Sequence, residues 1–235
     1  MPSVDLLVFD CDGVLVDSER LAAEEFSAAL GELGLVRDPE AIDAAFRGRR
    51  LADCLAVVRD WLGEPVPADF APALAARTRA RFERDLRPVP GVHEALDRIA
   101  AELDVPLCVA SSGAPGKIRH SLRLAELADR FGDALFSGTE VRRGKPAPDL
   151  FLHAARKMGV APEGCVVIED SAAGIAAGLA AGMRVVAYRG PSAPASRARH
   201  ELDRMDALPE LLVALGAGAG SGTARIAGST KGAVP

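Results

Sequence analysis

The chain has 235 residues, of which 49% are hydrophobic and 26% charged, a composition that suits a globular protein with a sizeable core. Its formal net charge of −5 and pI near 5.5 argue against nucleic acid as a partner, because phosphate backbones are bound by an excess of Lys and Arg. No stretch reaches the roughly 18 apolar residues of a membrane helix, so we expect a cytoplasmic protein without membrane contact, as a monomer or small homo-oligomer.

The first half of the chain contains one predicted strand and a long helical stretch. The apolar run at 4–9 predicts a buried strand, and the segment that follows Ser18 predicts a helix ending near Gly34. From 41 to 86, apolar residues recur at helical spacing, with prolines between them and no convincing strand. This segment is therefore predicted to be a helical insert.

Strands and helices alternate in the second half of the chain. Further strands are predicted at 105–110, near Leu135, at 165–169 and up to Tyr188, with helices at 92–103, after Pro115, at 148–158 and up to Ala181. Such alternation builds a parallel sheet covered by helices, a doubly wound α/β fold. We therefore expect an α/β core at 1–16 and 88–215, the helical insert at 17–87, and a flexible tail rich in small residues at 216–235.

Paired acidic residues follow two of the predicted strands. Asp10 and Asp12 follow the strand at 4–9, and Glu169 and Asp170 close the strand at 165–169. Asp-x-Asp-Gly alone fits a polar turn equally well. Carboxylates gathered at one edge of a sheet, however, repel one another unless a cation lies among them, and Mg²⁺ prefers such oxygen ligands. The pattern predicts a magnesium site at this edge of the sheet.

Groups suited to phosphate follow the other predicted strands. Ser111 and Ser112 come directly after an apolar strand, and Gly113 lets backbone amides approach an anion ahead of the next helix. Lys145 lies between a glycine and a proline, which fix the backbone around it. Each feature alone is also typical of an ordinary turn or a solvated loop. Together with a hard divalent cation they indicate a site for a phosphate group.

In their order and strand context these segments resemble the four motifs of the haloacid dehalogenase superfamily. The segments are Asp10-Cys11-Asp12-Gly13-Val14, Ser111, Lys145 before Pro146, and Glu169-Asp170-Ser171. The helical insert is similar to the small cap of the branch that contains β-phosphoglucomutase and many sugar-phosphate phosphatases. The stretches FDCDGVLVDSE and LFSGTEVRRGKPAPDLF look closest to phosphatases of sugars and sugar acids such as 6-phosphogluconate. The resemblance implies a Rossmann-like core, an all-helical cap domain and a Mg²⁺-dependent phosphatase acting on a small phosphorylated metabolite.

The resemblance also implies roles for the acidic residues. Asp10 resembles the nucleophile that takes the phosphoryl group as an aspartyl phosphate. Asp12 resembles the general acid and base, and we expect the neighbouring carboxylate to raise its pKa. Asp10, the backbone carbonyl of Asp12 and Asp170 would bind the metal, with Glu169 as a further ligand or an outer partner.

The remaining motif residues resemble the phosphate-binding groups of the superfamily. Ser111 and Lys145 would hold the transferring phosphoryl oxygens, and Ser112 and Gly113 would add backbone contacts. Two related reactions fit less well. Dehalogenases lack the second aspartate of the first motif, and phosphonoacetaldehyde hydrolases need a lysine in the cap, whereas the first lysine here is Lys117, outside the insert.

Two alternatives to a phosphatase stay open. In β-phosphoglucomutases a histidine stands where this chain has Ala22, and a cap arginine falls on Leu51, so hydrolysis is favoured over mutase activity. A non-catalytic protein that binds phosphorylated metabolites is the other alternative, although no motif acid is lost. Arg47, Arg49 and Arg50 could bind a carboxylate or hydroxyl-rich leaving group, the competing interpretation being a solvated helix start.

Overall fold

Six short and mostly buried segments form the strands of one parallel sheet in the computed structural model, which describes residues 3–189 and 198–218. The strands are β1 (Leu6–Phe9), β2 (Leu107–Ser111), β3 (Leu135–Ser137), β4 (Cys165–Glu169), β5 (Arg184–Tyr188) and β6 (His200–Leu202). Their order in the sheet is β3-β2-β1-β4-β5-β6. This order confirms the predicted doubly wound α/β fold.

Helices connect and flank the strands. In the described part of the chain they are α1 (Glu19–Glu32), α2 (Pro39–Phe46), α3 (Leu51–Leu62), α4 (Phe70–Asp85), α5 (Val92–Glu102), α6 (Pro115–Leu124), α7 (Ala128–Phe131), α8 (Asp149–Met158), α9 (Ala172–Ala180) and α10 (Leu208–Ala214). None of them combines the length and apolar composition needed to cross a membrane.

The direction of winding reverses between β1 and β4, the two central strands. Open sheets of this kind bind ligands at the carboxyl ends of the strands that flank such a reversal. The register pairs Phe9 with Ile168, so that β1 and β4 end side by side. The acidic residues that follow the two strands therefore emerge at the same edge, as the sequence predicts.

Alternate residues of β1 supply two separate apolar clusters, one on each face of the sheet. Leu7 and Phe9 pack in the cluster that includes the buried faces of α5, α6 and α10. Leu6 and Val8 pack on the other face against α8 and α9. Burial of each such side chain contributes about 1.5–3 kcal/mol. The central strand is thus fixed from both sides, and its carboxyl end gives a firm base for the residues that follow.

Helices α1 to α4 form the helical insert and have an apolar cluster of their own. Phe26 lies at its centre, with ring centroids 5.0 Å from Phe46 and 6.0 Å from Phe70. Aromatic pairs at such distances contribute beyond their buried area. The insert therefore has an internal core of its own, although Leu21 and Phe82 of its first and last helices pack in the cluster of the sheet.

The two connections between the insert and the sheet lie next to each other. The amide of Asp17 donates to the carbonyl of Arg87 at 2.9 Å, and the amide of Val89 donates to the carbonyl of Leu15 at 3.0 Å. The chain thus leaves the sheet after β1 and returns to it at neighbouring positions.

The sequence places most elements correctly and misses a few. Strand β2 begins two residues later than predicted, at Leu107, and the edge strand β6 is not predicted, because three residues show no alternation. At the start of the predicted tail, Ala217 is buried in the sheet core at 5% exposure. Residues 219–235 of that tail lie outside the described residues.

Candidate active site

A buried lysine joins the acids of β1 and β4. The Nζ atom of Lys145 donates to Oδ1 of Asp10 and to Oε1 of Glu169, both at 2.7 Å. The three residues are at most 3% exposed. Burial opposes the charge of the ammonium, but the two carboxylates outweigh it and raise the pKa of Lys145. The positive charge of Lys145 is therefore held permanently behind Asp10.

The second oxygen of Glu169 is bound by the turn that starts α9. The amide of Ser171 donates to Oε2 of Glu169 at 2.7 Å and its hydroxyl donates at 3.0 Å, while the same hydroxyl caps the helix by accepting from the amide of Gly174 at 3.0 Å. A Cβ at Gly174 would lie 1.7 Å from Oε1 of Glu169, so only glycine fits. Both carboxylate oxygens of Glu169 therefore have donors from the protein itself.

Asp10, Glu169 and Asp170 form the buried acidic cluster of the described residues, with one carboxylate oxygen of each within 4.8 Å of the others. Oδ1 of Asp170 is buried and has no hydrogen-bond partner among the residues that the structure describes. Burial and the charge of Glu169 raise the pKa of Asp170 well above its usual value. A buried carboxylate oxygen without a donor, among other acids, fits a hard cation such as Mg²⁺.

The turn after β1 approaches this cluster closely. Gly13 has a φ of +77°, and a Cβ on it would lie 2.1 Å from Oδ2 of Asp170. Both the backbone conformation and the space therefore require glycine at this position. The Asp-x-Asp-Gly segment is thus a turn that is shaped against the acids of β4.

Asp12 is held by a lysine that the sequence analysis did not assign to the site. The Nζ atom of Lys117 lies 2.8 Å from Oδ1 and 2.7 Å from Oδ2 of Asp12, and the hydroxyl of Ser18 donates to Oδ1 at 2.7 Å. Burial opposes ionisation of Asp12, but the charge and hydrogen bonds of Lys117 prevail, and its pKa is lowered. The expectation of a raised pKa for Asp12 was wrong, because its nearest charge is an ammonium group.

Asp10 shows the opposite behaviour. Burial raises the pKa of Asp10 to about 7, with Glu169 and Asp12 adding to the rise and Lys145 opposing it. Burial and the neighbouring negative charges thus raise the pKa values of both Asp10 and Asp170.

The segment that follows β2 lies in the same region. Ser111 is 1% exposed, and its hydroxyl accepts from the amide of Gly113 at 3.1 Å. Ser137, at the end of β3, donates to the carbonyl of Gly113 at 2.6 Å. Ser112 donates to the carbonyl of Gly48 in the insert at 2.7 Å. This loop is therefore fixed by its own hydroxyls, by the neighbouring strand and by the insert.

A cavity of about 730 Å³ opens between the insert and this edge of the sheet. It brings together most of the residues predicted for the site, namely Asp10, Asp12, Ser111, Ser112, Gly113, Arg47, Arg49 and Arg50. Lys145, Glu169 and Asp170 are not among its lining residues. Lys145 contacts Asp10 and Glu169, and Asp170 contacts Arg47. Part of the insert's lining is apolar and includes Phe26, Phe46 and Phe82.

The three arginines of the insert differ in their contacts. Arg47 donates to Oδ2 of Asp170 at 2.8 Å. Arg50 is anchored by Asp53 at 2.8 Å and lies 3.5 Å from the carbonyl of Gly138 in the core. Arg49 is exposed, and none of its side-chain atoms has a hydrogen-bond or ion-pair partner within the residues described. Of the three, Arg49 is thus the cation left without a carboxylate.

Two residues that the sequence analysis missed also line the cavity. Lys117 lies in the first turn of α6. Its position in the sequence just after the Ser111–Gly113 loop is the signal that could have placed it near the site. Glu19, at the start of α1, has a pKa raised to about 8 by burial and by the charge of Asp12, against Arg47 and Lys117. Both residues add a titratable group to the lining of the cavity.

Comparison with known proteins agrees with this geometry. The family model of the haloacid dehalogenase-like hydrolases matches residues 4–182. The chain is 35% identical to the 6-phosphogluconate phosphatase of Escherichia coli (strain K12), over 79% of this chain and 82% of that protein. It is 30% identical to hexitol phosphatase A of the same organism, over 79% and 83% of the two chains.

A solved structure has the same fold and a related sequence. It is a hydrolase of this family from Deinococcus radiodurans R1 with bound phosphate and sodium, at a TM-score of 0.71 and 34% identity, covering 92% of this chain and 98% of that one. The match of the family model over most of the chain, the parallel sheet and the acidic cluster at its switch point lead to one assignment. The chain belongs to the haloacid dehalogenase-like hydrolases.

Proposed function

We propose that the protein is a Mg²⁺-dependent phosphatase that hydrolyses a small phosphorylated metabolite through an aspartyl phosphate on Asp10. The observation that carries the proposal is the position of Asp10, which lines the cavity on one side and is bound by Lys145 at 2.7 Å on the other. A carboxylate backed by a buried cation and open to a cavity is suited to attack an anionic phosphate, since the cation offsets the repulsion.

The acidic cluster supports the metal requirement. Asp10, Asp170 and the backbone carbonyl of Asp12 would hold Mg²⁺, which supplies charge neutralisation at the phosphoryl oxygens when it is bound. Glu169 would act from outside the metal shell, because its oxygens already accept from Lys145 and Ser171.

In the first step a carboxylate oxygen of Asp10 attacks phosphorus and the bond to the leaving oxygen breaks. Asp12, which must first take up a proton against its lowered pKa, donates that proton to the leaving oxygen. In the second step water attacks phosphorus, Asp12 takes its proton, and the bond to Asp10 breaks to give inorganic phosphate. Ser111, which lines the cavity, would hold the phosphoryl oxygens as the charge shifts, and Ser112 and Gly113 would contribute backbone contacts. Lys145, which does not line the cavity, would stabilise those oxygens through its charge behind Asp10.

The substrate class that we propose is a sugar, polyol or sugar-acid phosphate. The relatives named above act on 6-phosphogluconate and hexitol phosphates according to their names, and identity over about four fifths of each chain supports a related substrate here. We also propose that residues 17–87 act as a cap over the core at 1–16 and 88–215, with Arg47, Arg49 and Arg50 facing the leaving group. The cavity of about 730 Å³ lies between these two parts and has room for such a substrate.

Mutase activity is the alternative within the family. Ala22 lines the cavity at the place where mutases carry a histidine, and an alanine methyl group transfers no proton. This observation favours hydrolysis. The third possibility, binding without turnover, is opposed by the complete set of motif acids.

The test is phosphate release from a panel of sugar, polyol and sugar-acid phosphates, with Mg²⁺ and with a chelator, and with Asp10→Asn as the inactive control. We expect Mg²⁺-dependent release from one substrate class and none from the Asp10→Asn variant, which should keep its melting temperature within a few degrees. Conversion of β-glucose 1-phosphate to glucose 6-phosphate without phosphate release would establish a mutase instead. Tight binding without turnover would establish a binding protein.

A further inference from the structure

We propose that Lys117 is a positioning residue that, with Ser18, selects Oδ2 of Asp12 as the oxygen that exchanges protons with the leaving group. The inference rests on the proposed function, because it assigns a task within the phosphatase reaction. It concerns a residue outside the four sequence motifs.

The hydrogen bonds of Asp12 are unequal at its two oxygens. Oδ1 accepts from the hydroxyl of Ser18 at 2.7 Å and from Nζ of Lys117 at 2.8 Å. Within the described ranges Oδ2 accepts from Lys117 alone, at 2.7 Å. A carboxylate oxygen has two lone-pair sites. Oδ1 is therefore fully used by the protein, and Oδ2 keeps one site for a proton.

The ammonium group of Lys117 is itself held in place. Lys117 belongs to the first turn of α6, which begins at Pro115, directly after the loop of Ser111 and Gly113. On its other side, Nζ lies 5.6 Å from the ring centroid of Phe82, a residue of α4 that is 2% exposed. A cation between a carboxylate and an aromatic face is oriented by both.

Lys117 also has access to the cavity. Its side chain is 36% exposed and that of Asp12 is 18% exposed, and both residues line the cavity. Lys117 and Asp12 are thus accessible from the cavity, whereas the side chains of Lys145 and Glu169 are completely buried. A substrate entering the cavity would meet an Asp12 side chain that is already oriented.

Removing the ammonium would leave Ser18 as the only donor to Asp12 within the described part of the chain, so the carboxylate could rotate about its side-chain bonds. Proton transfer depends on short and aligned contacts, and loss of such an acid-base contribution costs about 10²- to 10⁴-fold in rate. In the first step, the rate should fall only for substrates whose leaving oxygen needs a proton. Alkyl phosphates of sugars need one, and aryl phosphates with an acidic phenol do not.

The experiment compares Lys117→Met, Lys117→Arg and, as a matched control, Lys157→Met, which removes an exposed lysine of α8. Single-turnover rates and KM are measured on the preferred sugar phosphate and on p-nitrophenyl phosphate. We expect Lys117→Met to lose about 10²-fold in the single-turnover rate of leaving-group release on the sugar phosphate and less than about threefold on the aryl phosphate. Lys117→Arg should recover most of the loss, because a guanidinium binds both carboxylate oxygens.

Equal losses of Lys117→Met on both substrates, or no loss on either, would overturn the role of Lys117 while leaving the phosphatase intact. If Lys117→Met does not fold, Lys117→Gln, which keeps a donor without the charge, gives the same comparison with a smaller expected difference. Absence of phosphate release by the unaltered protein would instead overturn the proposed function, and the inference with it. The Lys157→Met control should match the unaltered protein on both substrates.

Discussion

Nη1 of Arg47 donates to Oδ2 of Asp170 at 2.8 Å, so a side chain of the helical insert reaches the acidic cluster at the end of β4. A guanidinium and a divalent cation compete for the same carboxylate, because both are bound by its negative charge. A ligand that binds Asp170 therefore also affects the contact between Asp170 and Arg47 of the insert.

We predict that Arg47→Ala binds Mg²⁺ about tenfold more tightly than the unaltered protein, since the positive charge of the guanidinium beside Asp170 no longer repels the cation. Isothermal titration with Mg²⁺ in the absence of substrate measures this directly. Arg49→Ala removes an arginine of the same loop that has no hydrogen-bond or ion-pair partner in the described part of the chain, and it should leave the affinity unchanged. Weaker binding by Arg47→Ala would show that the arginine does not oppose the metal.

Asp12→Asn should retain substrate binding and lose turnover. The amide cannot give or take the proton, so the single-turnover rate on a sugar phosphate should fall by about 10²-fold or more, while the substrate Kd changes by less than about threefold. Rapid-quench kinetics and equilibrium binding give the two quantities separately. A Kd that rises in parallel with the loss of rate would mean that Asp12 binds substrate rather than moving protons.

Lys145→Met should destabilise the fold strongly. The change leaves the buried carboxylates of Asp10 and Glu169 without their shared cation, and loss of one partner from such a buried group costs about 3–5 kcal/mol. Urea unfolding without divalent ions measures the free energy of unfolding, and Lys157→Met is again the surface control. Addition of Mg²⁺ should return part of the loss, since ligands that bind only the folded state stabilise it. A loss below about 1 kcal/mol would contradict the ion-pair assignment.

Glu19 should make the protein less stable as the pH rises. Its pKa is raised in the folded state from 4.5 to about 8, so the folded state binds a proton that the unfolded state releases. The stability linked to this proton is complete below pH 4.5 and is lost as the pH rises to about 8. Glu19→Gln should remove up to about tenfold per pH unit from the decline of the folding constant in that window. Urea unfolding series at pH 5, 6, 7 and 8 test this, and parallel curves for the two proteins would contradict it.

The sequence was sufficient to predict strands β1 to β5 and the acids at their carboxyl ends. Short apolar segments that end in charged residues are typical of buried strands in a parallel sheet. Neighbouring parallel strands bring their carboxyl ends together at one edge of that sheet. Asp10 and Asp170 could be placed near one another for this reason, although 150 or more residues separate them in the chain. Lys145 was also identified, because glycine and proline on either side of it mark a rigid loop.

The sequence was not sufficient for the contacts between side chains of distant elements. Lys117 and Asp12 are 105 positions apart, and their hydrogen bonds depend on the exact rotation of α6 relative to β1. The lowering of the pKa of Asp12 follows mainly from the charge and hydrogen bonds of Lys117. Likewise, nothing in the run of arginines distinguishes Arg47, which contacts Asp170, from Arg49, which has no side-chain partner among the residues described. Such differences are decided by packing, to which residue type and spacing give no direct access.

The insert joins the sheet through two backbone segments that are hydrogen-bonded to each other, at Asp17 and Arg87 and at Leu15 and Val89. Because its entry and exit are neighbours, an insert of any length or shape adds little strain to the sheet that carries it. Mutations of insert residues that line the cavity can therefore accumulate while Asp10, Lys145 and the acids of β4 keep their positions. Such an attachment lets one hydrolytic centre acquire new substrates through changes in a separate part of the chain, and it makes the insert the natural place to exchange whole segments between relatives.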